Sequence, residues 1–89
     1  MIALLAGSER RLCLTLGALA EIETGLGLDG LPALAERMRA LSARDLMTVL
    51  AAVLRGGGER ALADALDRAD VEPREAAEAV AKAFAAAAR

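Results

Sequence analysis

Residues 23–30 read ETGLGLDG, and the role given to their glycines decides the fold. Gly25, Gly27 and Gly30 spell G-x-G-x-x-G. In a βαβ unit that pattern cradles a dinucleotide pyrophosphate between a strand and a helix. It needs a strand before it, a helix after it, and enough chain to continue the alternation. Here the preceding residues Leu19 and Ile22, with Leu26 inside the pattern, recur at helical spacing, and Glu21 and Glu23 lie between them. Residues 31–89 show no alternation of strands with helices. The glycines are therefore expected to punctuate consecutive helices. Gly25 or Gly27 takes the left-handed position that closes the first helix. Asp29 or Gly30 precedes the second, and Pro32 suits its first turn, where a missing N–H costs nothing.

Upstream, residues 2–16 read as a β-hairpin. IALLA (Ile2–Ala6) and RRLCLTL (Arg10–Leu16) are short apolar or alternating runs, joined through Gly7-Ser8-Glu9. Leu12, Leu14 and Leu16 share one face of the second run and are expected to face a core. Arg11, Cys13 and Thr15 share the other face. Thr15 also fits the N-cap of the first helix.

Downstream, Leu31, Leu34, Met38 and Leu41 form the stripe of a second helix. Ser42-Ala43-Arg44-Asp45 approximates a capping box and opens a third, with Leu46, Val49, Leu50, Val53 and Leu54 inward. Gly56-Gly57-Gly58 stops it, and three glycines suggest a hinge. A fourth helix places Leu62, Ala65, Leu66 and Ala69 inward, with Arg60, Asp64, Asp67 and Arg68 outward. A fifth starts at Pro73 with the stripe Ala76, Ala77, Val80, Phe84 and Ala88. Its alanines bury little area, so weak docking is expected except through Val80 and Phe84. The expectation is one α+β domain over residues 1–89, a β-hairpin packed on a small bundle of four to five helices. Residues 2–16 form the hairpin, residues 17–55 helices one to three, and residues 59–89 C-terminal helices that either dock or act as a mobile, partner-binding tail.

With 89 residues, the chain fits one small domain with little stability margin. Its only aromatic residue is Phe84, so aliphatic side chains must build the core. A net charge of −2 gives no field that attracts nucleic acid or anionic lipid. Single-stranded nucleic acid lacks the aromatic platforms it stacks on. Cys13 is the only cysteine, which excludes an internal disulfide and suits a reducing compartment. Neither a secretory leader nor a membrane span is expected.

Catalytic chemistry has few carriers here. The chain has no His, so Cys13 and the hydroxyls of Ser8, Thr15, Thr24, Ser42 and Thr48 lack an imidazole base. Glu21 and Glu23 point to different sides of a helix. Asp64, Asp67 and Asp70 would share a helical face, but with Arg60 and Arg68 nearby they read as a solvated charged face, not a cation site. No catalytic residue, metal or cofactor is expected. Two apolar features remain as candidate partner surfaces. One is the first strand, with Ile2 and Leu4, an edge open to pairing. The other is the pair Val80 and Phe84 on the last helix.

The runs RLCLTLGALAEIETGLGLDGLPALAERM (Arg11–Met38) and LSARDLMTVLAAVLRGGG (Leu41–Gly58) resemble the small tail proteins of gene transfer agents and related phages. That family is described both as a tail assembly chaperone and as a tail tube component. The resemblance implies a non-enzymatic role in building a phage-like tail in the bacterial cytoplasm, with the tail tube or tape-measure protein as partner and self-association as a further contact. It also allows a structural subunit retained in the particle. A reading from another class is a small DNA-binding regulator using Ser42–Gly58 as recognition helix, whose only bases are Arg44 and Arg55.

Overall fold

The central helix, α3 (Ala43–Gly56), buries Val49, Leu50, Ala52, Val53 and Leu54. Five buried residues within six positions exceed one amphipathic stripe, so the second half of this helix is enclosed on most sides. The computed structural model describes residues 1–88. In chain order, β1 (Ile2–Leu5) and β2 (Ser8–Arg11) are followed by α1 (Leu16–Leu26), α2 (Leu31–Arg37), α3, α4 (Arg60–Asp64), a 3-10 turn over Leu66–Arg68, and α5 (Pro73–Ala87). The architecture is the expected α+β arrangement, an antiparallel hairpin and five helices. α1, α4 and α5 pack on α3, and β1 packs on α5.

The hairpin is shorter than the sequence suggests. Ile2 pairs with Arg11, Ala3 with Arg10, Leu4 with Glu9 and Leu5 with Ser8. The turn is therefore Ala6-Gly7, not Gly7-Ser8-Glu9. Both turn residues have positive φ, 51° and 79°, as a two-residue turn needs if it is to follow the strand twist. Just beyond β2, Leu12 still pairs with Met1, and after it the chain leaves the ladder. Leu12 is buried and Leu14 half-buried, as expected, whereas Leu16 is 83% exposed. It is the first residue of α1, and helical geometry there turns it away from the core.

The caps follow the sequence. The Thr15 hydroxyl accepts from the Ala18 amide at 3.0 Å and the Ser42 hydroxyl from the Asp45 amide at 3.1 Å. Gly27, at φ 66°, ends α1. Gly25 lies within α1, where a Cβ would come 2.5 Å from Cγ2 of Thr48 on α3. The glycine motif thus ends a helix and lets two helices approach.

Gly56 and Gly57 are a seat and not a hinge. The segment after β2 crosses the end of α3 directly on them. A Cβ on Gly56 would overlap the Cys13 carbonyl oxygen, and one on Gly57 the Arg11 carbonyl oxygen. The expected fourth helix breaks at Ala65, and Leu66 and Ala69 are only half-buried. The last helix docks more firmly than its composition suggests. Ala76, Ala79, Val80 and Ala83 are buried, while Ala77 and Ala88 face outward. Small side chains give little area each but let helix backbones come close. On α2 only Leu34 is buried, and Leu31 points outward.

Candidate interaction surface

The hairpin presents two unlike faces, because strand side chains alternate. Ala3 and Leu5 point inward, Leu5 fully buried above α5. Ile2 and Leu4 point outward and are 60% and 64% exposed. Cross-strand partners share a face, so Arg11 lies beside Ile2 and Glu9 beside Leu4, and both are exposed. The outer face is thus a square of two aliphatic and two oppositely charged side chains.

The ladder also orients the backbone. Met1 and Leu12 exchange both hydrogen bonds, each at 2.8 Å. Bonded and non-bonded pairs alternate along an antiparallel ladder. Ile2–Arg11 and Leu4–Glu9 are therefore non-bonded pairs, and the N–H and C=O groups of Ile2 and Leu4 point to the free edge of β1. Beside that edge a cleft of about 290 Å³ is rimmed by Glu75, Glu78 and Lys82 of α5. An edge with unpaired backbone groups and aliphatic side chains can add a strand from another chain.

The other candidate surface, on α5, is mostly turned inward. Val80 is 2% exposed and belongs to the core, and Phe84 is half-buried against it. The helical stripe read for a partner faces inward because α5 lies on α3 through Ala76, Ala79, Val80 and Ala83. Ile2 and Leu4 remain as candidate contact residues. Sequence reasoning missed Glu9 and Arg11, since placing them beside Leu4 and Ile2 requires the strand register.

A second cleft, about 450 Å³, lies over the start of α1 and the end of α3. Three of its charged residues, Glu21, Arg55 and Asp64, are paired with one another. Arg55 bonds Glu21 of α1 and, at 3.0 Å, Asp64 of α4. These partners, Asp64 first, hold the guanidinium protonated above its ordinary range. Arg55 is thereby committed within the fold, which leaves Arg44 as the other base of the supposed recognition helix. Asp64, Asp67 and Asp70 do not share a helical face, because α4 ends at Asp64. No cluster of three metal-ligating residues occurs among the described residues. Cys13 is exposed, and its amide donates to the Val53 carbonyl at 2.9 Å. A third groove, about 240 Å³ and lined by Leu46, Leu50, Leu66, Val71 and Ala76, lies between α3 and the start of α5. No helix among the described residues is long and apolar enough to cross a membrane.

No curated protein and no solved structure gives a significant match to this sequence. A protein-family model does, and it spans residues 1–89, including the C-terminal helices that the resemblance in residues 11–58 left out. The chain belongs to the family described as phage tail tube protein, GTA-gp10.

Proposed function

We propose that this tail protein is a non-enzymatic assembly chaperone. It holds a tail tube or tape-measure protein through the outer face and free edge of its hairpin, in the bacterial cytoplasm, until that protein is built into a phage-like tail. One observation carries the reading: Ile2 and Leu4 stand exposed side by side on a sheet edge. Contiguous apolar surface at an open edge marks a contact site, whereas single exposed aliphatics need no explanation. Leu16, Leu31 and Met47 are such single residues, one each on α1, α2 and α3. A subunit fixed in a closed ring needs two large complementary faces on opposite flanks. One small face suits a contact that is made and later released. Co-expression with each tail protein of the same particle tests the reading. A tagged chain should co-purify with one of them, and a folded chain that retains none contradicts it.

The family's description as a tube protein favours a second reading, a subunit retained in the tail. Mass spectrometry of purified particles separates the two. A chaperone is absent from them, and a retained subunit is present in fixed ratio to the other tail proteins.

A further inference from the structure

We infer that the outer face of the hairpin is self-complementary and that, in the free protein, a second copy of this chain covers it. The inference rests on the reading of this face as the contact surface and names its occupant before a tail partner arrives.

The argument is geometric. Ile2 and Leu4 lie along β1, and Arg11 and Glu9 lie along β2 beside them. Consider a second hairpin stacked face to face, related by a two-fold axis in the interface and perpendicular to the strands. That operation keeps β1 over β1 and β2 over β2 but reverses their direction. Ile2 then sits over Leu4 of the other copy, and Leu4 over Ile2. Glu9 sits over Arg11, and Arg11 over Glu9. Every apolar group meets an apolar group and every charge meets its opposite, twice. A two-fold axis parallel to the strands would instead set Ile2 over Arg11 and Leu4 over Glu9, matching nothing. An isologous interface requires self-complementarity of this kind. The side chains of Glu9 and Arg11 have no ion-pair partner among the described residues, whereas the neighbouring Arg10 is engaged with Glu59 at 3.7 Å. Both charges are therefore available.

The face is small, four residues long and two strands wide. It falls well below the roughly 800 Å² per partner of a stable interface. The dimer is thus of the weak, exchanging kind, with a dissociation constant on the order of 10–1,000 μM. Weakness is functional here. A dimer hides Ile2 and Leu4 during storage and yields them to a tail partner that binds more tightly.

Sedimentation equilibrium from about 10 μM to 2 mM provides the test. The wild type should show a monomer–dimer equilibrium. Glu9→Arg alone sets Arg over Arg, and Arg11→Glu alone sets Glu over Glu. Each should weaken the dimer roughly tenfold or more. Mixing the two variants should restore dimers, because Arg at 9 and 11 in one copy then meets Glu at 9 and 11 in the other. The double exchange E9R/R11E should restore the homodimer in a single chain. Circular dichroism confirms that each variant is folded. A chain monomeric at 2 mM overturns the inference, as does a dimer indifferent to these charges, which is what edge-to-edge β1 pairing would give. The variant Leu4→Asp keeps this separate from the chaperone reading. If it loses tail-partner capture while the wild type is monomeric, the self-pairing fails and the contact surface stands. If it keeps capture while the charge exchanges behave as described, the dimer stands and the partner contact lies elsewhere.

Discussion

The Cys13 amide donates a 2.9 Å hydrogen bond to the Val53 carbonyl, forty residues further along the chain. That oxygen also accepts the Gly57 amide at 3.1 Å, so the end of α3 serves both its own helix and the segment that crosses it. This crossing fixes where the hairpin stands relative to the bundle, and with it which face Ile2 and Leu4 present.

The crossing predicts that Gly56→Ala and Gly57→Ala are severely destabilising. Each new methyl would overlap a backbone carbonyl oxygen, of Cys13 and Arg11 respectively, and a backbone segment held at both ends cannot yield cheaply. A loss of about 2–4 kcal/mol is expected in chemical denaturation for each. Gly58→Ala meets open space and suffers only its positive φ of 89°, roughly 1–2 kcal/mol. Equal effects at all three positions would refute the seat.

Ala6 sits at φ 51° in the hairpin turn, a conformation that costs an ordinary side chain energy. Ala6→Asn creates Asn-Gly, the preferred pair for this turn. It should stabilise the protein by about 0.5–1 kcal/mol, read as a raised denaturation midpoint at unchanged slope.

Arg55 ties α1 to α4 through Glu21 and Asp64. All three groups are more than a third exposed, so each pair is worth little in water. Arg55→Met should cost about 1 kcal/mol in low salt and less in 1 M NaCl. A loss unaffected by salt would show that the arginine stem matters by packing instead of charge.

The Arg37–Asp45 pair, at 3.0 Å, links α2 to the start of α3. The hydrogen bond from Arg37 comes first among the causes that hold the Asp45 carboxyl below its ordinary range. A depressed folded-state value means that the pair's contribution is full above about pH 4 and is lost as pH falls through the lower folded value. α2 buries only Leu34, so its amides should exchange faster than those of α3 at neutral pH, and Asp45→Asn should quicken them further. Exchange as slow in α2 as in α3 would contradict this.

Local chemistry was legible in the sequence, and long-range contact was not. Thr15 and Ser42 announced their helices because a cap needs only its own next three residues. Gly27 ended α1 for a similarly local reason. The roles of Gly56 and Gly57 depend on Cys13 and Arg11, more than forty residues away, so a run of glycines looked like a hinge. The turn moved to Ala6-Gly7 because the ladder fixes the register, and alanine at positive φ carries no sequence signal. Val80 read as half of a partner stripe, since helical spacing cannot say which body a stripe faces. Of the candidate surface, Ile2 and Leu4 were visible as an apolar strand, while Glu9 and Arg11 joined them only once the pairing was known.

The central claim is that the outer hairpin face holds the tail partner, and the most direct measurement is capture by the Leu4→Asp variant. Leu4 is 64% exposed, so the substitution leaves the core intact. A tagged variant chain co-expressed with a tail protein that the wild type captures should lose at least about tenfold in captured partner, at unchanged circular dichroism. Undiminished capture by the folded variant would contradict the account.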